Sequence, residues 1–493
     1  MKTLNDWNRL AHAPAAELRE RQDRLLARYV REELYPFSAH YRRVFDEAGV
    51  DPRSIRRVDD LRRLPFTTQK DLLDAQSDPE RKRDFVLIPT PGAIRSHWGF
   101  GRKLALVLGG ARAREALRYH YTPNFITFTT GRSSDPVIFS YTPHDLDILS
   151  EGGARMLSVH EITDTQARIL NLFPFAPHLA FWQATLAGFR TGRLMVPTGG
   201  GKVMGTSGNL RLLERLRPTV LIGTPGFVYH LLRTGREQDL DTSAVKLVIL
   251  GAEKVPPGLK QKMAEVLEAG GASDVMISGT YGFTEARMAF SECPAPYDAS
   301  PGYTTYPDLG LFECIDPKTG DPVGEGETGE LVYTTLSGHG TCVMRYRTGD
   351  LAIGGITWQP CPYTGRTVPR ISSELRRVSE QKSMSLTKVK GTLVDLSHIG
   401  TVVANDPAVE EWQVVLEKRG GDEFGLDELV LRVALAKGTD ETKFKSEITR
   451  KIADATEVAP NRVEVMKLSE LLEALGMETE MKEKRFLDLR PKT

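Results

Sequence analysis

The chain has 493 residues, with 65 Lys plus Arg set against 65 Asp plus Glu. That length exceeds one ordinary domain and is enough to bury a core without disulfides. A formal charge of zero removes the general electrostatic case for nucleic acid or a membrane surface as partner, so an anionic ligand must be held by a local site.

The four cysteines, Cys293, Cys314, Cys342 and Cys361, share no C-x-x-C spacing. They argue for a reducing compartment and against a disulfide framework. No apolar run approaches the roughly 18 residues of a membrane span. The early acidic residues Asp6, Glu17, Glu20 and Asp23, with no apolar run, make a secretory signal unexpected and a cytoplasmic location the default.

In chain order, residues 1–75 read as mostly helical. Leu18, Leu25, Leu26 and Tyr29 recur at helical spacing, and Thr67 or Thr68 is placed to cap a helix opening at Gln69. From about 120 to 290 strands and helices alternate. Leu210 to Leu216 and Phe227 to Leu232 have helical periodicity, and Thr219 to Gly223, Val245 to Leu250 and Val275 to Ser278 are short apolar runs suited to buried strands. Pro256-Pro257 opens a helix that Gly270-Gly271 stops. The alternation predicts a parallel sheet with helices on its faces, and ligands at its carboxyl end near 251–253 and 279–285. Leu311 to Ile315 and Glu330 to Thr334 predict a β-rich subdomain. Trp412 to Leu416, Leu429 to Ala434 and a helix over Thr442 to Ala453 make a small α+β unit. The boundary falls near Gln381–Ser385, dividing the chain into 1–382 and 383–493.

Four stretches carry chemistry-bearing residues. Thr127 to Pro136 is a hydroxyl-rich loop with Gly131 and Arg132 that can wrap a polyphosphate, although no Walker spacing exists and a polar turn is the plain alternative. Gly279-Thr280-Tyr281-Gly282-Phe283-Thr284-Glu285 follows a buried strand and offers a ring for stacking, a hydroxyl and a hard oxygen suited to Mg²⁺. In Arg345-Tyr346-Arg347-Thr348-Gly349-Asp350, an Asp can accept ribose hydroxyls. The fourth is Met481-Lys482-Glu483-Lys484-Arg485-Phe486-Leu487-Asp488-Leu489-Arg490, ordinary alone and notable only in combination. Thr198 to Lys202 is Gly-rich but fits neither nucleotide fingerprint, and reads as a loop beside an acyl or thiol channel.

Together, in this order, these stretches resemble the adenylate-forming superfamily of acyl-CoA synthetases, luciferases and adenylation domains. The resemblance is strongest to the phenylacetate–coenzyme A ligase branch, through His40 to Val50, Leu64 to Leu72, Gly251-Ala252-Glu253 and Gly365 to Ile371. It spans nearly the whole chain, except an apparent insertion over 80–120. It implies an α/β fold: a large N-terminal core with parallel sheets and helices plus the β-rich subdomain, and a small mobile α+β C-terminal lid. It implies an AMP-forming ligase that uses ATP, Mg²⁺ and coenzyme A to activate a hydrophobic or aryl carboxylic acid, with no nucleic acid or membrane partner, and it allows a homodimer. Thr129, Thr130 and Gly131 would then cradle phosphates, and Gly251, Ala252 and Glu253 would line the adenine site. Thr280, Tyr281, Gly282 and Thr284 would complete the nucleotide site, with Tyr281 stacked on the base. Glu285 would hold Mg²⁺, Asp350 the ribose, and Lys382 would stand at the hinge. Lys482 would contact the reacting carboxylate, with Lys484 as its alternate. Phe175, His178, Phe181 and Trp182, with Gly279, would line the acyl pocket, although aromatics of this density also simply fill cores.

Several residues depart from the family pattern. Thr127-Phe128 replace a Ser-Gly, Val137 replaces a Lys, and the hinge Arg-x-Asp-Asp becomes Lys382-Ser383-Met384-Ser385. Cys293 and Cys361 lack the partners of the branch's structural zinc, so no zinc is expected there. The departures leave open an alternative acceptor, a carrier protein or an amine, and a relative that binds nucleotide without catalysis.

Overall fold

The structure is a computed structural model that describes residues 2–129, 136–162, 164–175, 179–378, 386–389, 392–419, 427–456, 458–477, 479 and 483–490.

The N-terminal part is helical: α1 (Lys2–Leu10), α2 (Ala15–Tyr29), α3 (Tyr35–Phe37), α4 (Ala39–Glu47) and α5 (Gln69–Ser77). Leu18, Leu26 and Tyr29 are buried, and Leu25 packs against the same core half-buried. Thr68, not Thr67, caps α5: the Asp71 carboxylate accepts the Thr68 N–H at 2.7 Å. Thr67 instead donates its hydroxyl to the Met344 carbonyl. The 80–120 segment folds as α6 (Pro91–His97), α7 (Phe100–Leu108) and α8 (Gly110–Tyr121).

A two-stranded hairpin follows, β1 (Phe125–Phe128) and β2 (Ile138–Tyr141). Thr127 and Phe128 therefore lie in a strand rather than in the expected loop, because Thr127↔Phe139 and Phe128↔Ile138 continue the antiparallel pairing.

The central sheet has the order β4-β3-β5-β6-β7-β8, formed by β3 (Arg168–Asn171), β4 (Leu194–Pro197), β5 (Val220–Gly223), β6 (Leu247–Leu250), β7 (Met276–Phe283) and β8 (Met288–Ser291). Every pairing but β7–β8 is parallel. Each buried strand feeds both faces: Leu221, Val248 and Leu250 enter one core, and Val220, Ile222, Leu247 and Ile249 the other. This is why these runs are continuously apolar instead of alternating. The covering helices are α9 (Pro143–Val159), α10 (Leu179–Thr191), α11 (Gly200–Leu216), α12 (Pro225–Glu237) and α13 (Pro257–Ala269). Pro257 opens α13 and Gly270 ends it, as the sequence predicts.

Two expectations are corrected here. Gly279 to Phe283 is the second half of β7, not a loop, since β8 pairs antiparallel with it from Thr280↔Ser291 to Phe283↔Met288. The Gly-rich run also opens α11 rather than forming a loop. Gly199 at φ 75° caps that helix, a left-handed position glycine takes without steric cost.

Beyond the central sheet come β9 (Tyr303–Thr304), β10 (Gly310–Ile315), β11 (Gly329–Thr335), β12 (Tyr346–Ala352), β13 (Ile356–Thr357), β14 (Arg370–Ile371) and β15 (Leu375–Arg377). They form the antiparallel sheets β10-β11-β12-β15 and β13-β14-β9, the expected β-rich subdomain. A second hairpin, β16 (Leu386–Val389) and β17 (Thr392–Asp395), precedes α14 (Leu396–Ala404).

The C-terminal part has its own sheet, order β20-β19-β18-β21, from β18 (Val409–Lys418), β19 (Asp427–Leu435), β20 (Arg462–Val465) and β21 (Phe486–Asp488). With α15 (Glu441–Thr456) and α14 it encloses a hydrophobic cluster around Val414, Leu431 and Ile448. A last helix, α16 (Leu468–Leu475), packs into the central-sheet cluster. Gln381–Ser385 lies outside the described residues. Among the described residues no helix is long and apolar enough to cross a membrane.

Candidate active site

The carboxyl ends of β6 and β7 meet the edge of the β-rich subdomain. Tyr281, on β7, donates its hydroxyl to Asp350 Oδ2 at 2.8 Å. Asp350, on β12, is an antiparallel partner of Arg377 on β15, and their side chains form a 3.1 Å ion pair. Burial raises the Asp350 carboxyl above its ordinary range, with Arg377 opposing that shift. The Tyr281 ring is buried and packs against Phe283 and Tyr303 at 5.5 and 5.7 Å.

Glu285 follows in a short 3-10 turn over Thr284–Ala286. Tyr346, on β12, donates its hydroxyl to Glu285 Oε1 at 2.6 Å. Burial raises the Glu285 carboxyl, opposed by the Tyr346 hydroxyl, a backbone N–H and the charge of Arg377. A buried carboxylate is costly to ionise, and a hard cation would relieve that cost.

Thr280 donates its hydroxyl to the Leu250 carbonyl at 3.0 Å. Gly251 follows directly, and a Cβ there would overlap Thr280 Oγ1, so only glycine fits. Ala252 next holds φ 71°, a left-handed conformation that costs an L-residue roughly 1–2 kcal/mol. The loop is thus strained and turned outward. Ala252 and Glu253 line a cavity of about 300 Å³ shared with Gly226, Tyr229, Trp412 and Arg485.

Residues near the C-terminus reach the same cavity. Arg485 pairs with Glu411 at 2.9 Å and with Glu483 at 2.6 Å. Burial, reinforced by Glu253 and Glu411 and opposed by Arg485, pushes the Glu483 carboxyl up to about 8. Lys484 is exposed, and its backbone N–H donates to Leu475. Lys482 and Lys382 lie outside the described residues, as do Thr130, Gly131 and His178.

Thr129 ends the β1–β2 hairpin, its hydroxyl accepting the Val137 N–H at 2.9 Å. Behind it Thr127 donates to the Tyr141 hydroxyl at 3.1 Å. Phe175, Phe181 and Trp182 form one cluster with ring separations of 5.2, 5.5 and 6.0 Å, and Trp182 meets Phe125 of β1 at 5.2 Å. Phe175 is exposed and Phe181 buried. Gly279 is not turned toward this cluster. Its N–H donates to Glu292, which pairs with the buried Lys260 at 2.9 Å.

Sequence reasoning did not single out Arg377 or Glu411 for this site, and it quoted Tyr346 and Arg485 without giving either a role in it. The register of β12 against β15 is what pairs Asp350 with Arg377, and no local spacing encodes that.

Residues 149–345 match the family described as AMP-binding enzyme. The chain carries an AMP-binding domain. It is 28% identical over 86% of its length to a phenylacetate-coenzyme A ligase of Thermus thermophilus, covering 82% of that protein. It is 26% identical over 80% of its length to the phenylacetate-coenzyme A ligase of Escherichia coli, covering 77% of it. Among solved structures it superimposes on a 2-hydroxyisobutyryl-CoA ligase in the postadenylation state, with TM-score 0.74, 21% identity, and 98% and 92% of the two chains covered. Against the thioesterification state of that ligase the TM-score is 0.62. The AMP-binding domain is thus mounted in the fold of the adenylate-forming ligases, and the convergent pairs Tyr281–Asp350 and Glu285–Tyr346 straddle its C-terminal limit.

Proposed function

We propose that this chain is an ATP-dependent acid–thiol ligase that converts a hydrophobic or aryl carboxylic acid to its acyl adenylate and then to the coenzyme A thioester. The observation that carries this reading is the convergence of Tyr281, Asp350 and Glu285 at the carboxyl ends of β6 and β7, beside the strained Gly251–Glu253 loop.

In the first step a carboxylate oxygen bonds to the α-phosphorus of ATP and pyrophosphate leaves. Two anions must approach, so fixed positive charge has to offset their repulsion. Lys482 supplies that charge at the reacting oxygens, with Lys484 as its alternate. Asp350, steadied by Tyr281 and Arg377, accepts the ribose hydroxyls. Gly251, Ala252 and Glu253 line the adenine, with Tyr281 beside it, while Thr129, Thr130 and Gly131 meet the phosphates. Mg²⁺ on those phosphates would find a hard ligand in the buried carboxyl of Glu285, and it would neutralise developing charge. In the second step the thiol sulfur bonds to the acyl carbon and AMP leaves. The aromatic cluster of Phe175, Phe181 and Trp182 supports an apolar acid.

Residues 1–382 serve as the adenylation core and 383–493 as its mobile lid. The free cysteines support a reducing compartment, the cytoplasm. Incubation with ATP, Mg²⁺ and a panel of aryl and medium-chain acids, followed by mass spectrometry before and after adding coenzyme A, tests the proposal. An acyl adenylate that becomes a thioester supports it. An adenylate that moves only to a holo carrier protein or an amine changes the acceptor, and no adenylate with any acid overturns it. Light scattering separates monomer from homodimer.

A further inference from the structure

Away from this site, three histidines from three distant parts of the chain converge. His120 ends α8, His144 lies in the first turn of α9, and His339 sits between β11 and β12. One nitrogen from each lies within 4.8 Å of the other two.

Two of the three nitrogens stand at a ligand spacing, and the third belongs to the same 4.8 Å group. His120 Nδ1 and His339 Nδ1 face each other at 3.3 Å. That equals the edge of a tetrahedron around an ion bound at roughly 2.0–2.1 Å, which is about 3.3–3.4 Å. His144 Nε2 stands 3.0 Å from the Ser337 carbonyl. Donating there fixes the tautomer and leaves His144 Nδ1 with a bare lone pair, as the outer partner of a metal-bound imidazole does. The His339 ring stacks between His144 and Tyr121, at 4.5 and 4.9 Å.

The surroundings agree. The His339 backbone N–H is tied to Asp145 at 2.9 Å, and Asp145 is itself paired with Arg287 at 2.8 Å, so the loop carrying His339 is anchored. His120 and His339 also line a mostly apolar cavity of about 300 Å³, together with Trp98, Leu106, Leu117, Glu33 and Arg102. Three imidazoles with one open side are a donor set for Zn²⁺, Co²⁺, Ni²⁺ or Cu²⁺.

We infer that His120, His144 and His339 form a three-histidine site for a divalent transition-metal ion, with its remaining coordination position open to the cavity between the 80–120 helices and the core. The inference does not depend on the adenylation chemistry.

The test is Co²⁺ titration of the chelator-treated full-length protein, followed by visible absorption and then by Zn²⁺ competition. One equivalent of Co²⁺ should give the intense spectrum of a four-coordinate ion, and Zn²⁺ should displace it. His120→Gln changes a partly exposed side chain and should weaken binding roughly tenfold or more. His144→Gln should do the same, with thermal melting without metal confirming that each variant folds. A spectrum of hydrated Co²⁺ in the wild type overturns the site. So does binding unchanged in both variants, or a thiolate-to-metal band, which would place the ion on cysteine.

Discussion

Asp350 lies between a phenol and a guanidinium, and its environment decides what it can do. Burial pushes its carboxyl up, while Arg377 and the Tyr281 hydroxyl pull it down. Asp350→Asn keeps the shape and removes the charge. Hydrogen bonds to a charged acceptor contribute about 1.5–3 kcal/mol, so kcat/KM for ATP in pyrophosphate exchange should fall roughly 10- to 100-fold. The melting temperature should hardly move, because the Arg377 side chain is 55% exposed and can turn to water. An unchanged kcat/KM would remove Asp350 from the nucleotide site. At this scale the sequence was most legible where the residues are local: Tyr281, Glu285 and Asp350 stand in short motifs, and the structure brings those motifs together. The pairings with Arg377 and Tyr346 were not legible, because they arise through strand register.

The elements were read well where both faces are buried. The apolar runs of β5 and β6 and the Pro and Gly punctuation of α13 predict those elements to within a few residues. The misreading of β7 has a clear cause. Gly279 and Gly282 look like turn residues, yet Gly282 is there because a Cβ would approach the Ala289 Cβ to 2.7 Å across the β7–β8 pair. Close approach, not turning, fixes that glycine. The same logic governs how α9 meets α10, the helix that carries Phe181 and Trp182. A Cβ on Gly153 would come within 2.6 Å of the Gln183 carbonyl and 2.8 Å of the Ala187 Cβ. Gly153→Val should therefore force the helices apart and destabilise the protein by about 1–3 kcal/mol, measured by urea unfolding. A neutral outcome would mean that the two helices are not held at this distance in solution.

Over the whole molecule, the C-terminal part meets the central sheet through an apolar seam, where Leu471, Leu475 and Met477 join the cluster of β5 and β6, and through polar contacts. Lys262 donates to the carbonyls of Ala404, Asp406 and Val409 at 3.1, 2.7 and 2.6 Å, and burial lowers its pKa to about 8. The Gly258 N–H donates to Asn405. Sequence alone predicted the two parts and their order, but not these contacts, since no periodicity encodes which carbonyls a distant lysine will meet. Stability of the assembled chain should also depend on pH through its buried imidazoles. His160 is held at about 4 by burial, facing the Met156 carbonyl, Ser291, Glu292, Arg366 and Lys260. Its folded value lies below the unfolded 6.5, so its contribution is intact above 6.5 and is lost as pH falls toward 4. The stability gap between wild type and His160→Gln should shrink by about 2 kcal/mol from pH 7 to pH 5, read by denaturant unfolding at both. A gap that stays constant would show that His160 titrates normally.

The most direct test of the account is ATP–pyrophosphate exchange with Mg²⁺ and an aryl acid, without any thiol, in the wild type and in Lys482→Ala. Exchange that depends on the acid, and is lost in the variant while ATP binding by calorimetry survives, is the result expected of an enzyme that adenylates its acid. ATP binding with no exchange in either protein, across aryl and medium-chain acids, would contradict that and leave a nucleotide-binding protein without the chemistry.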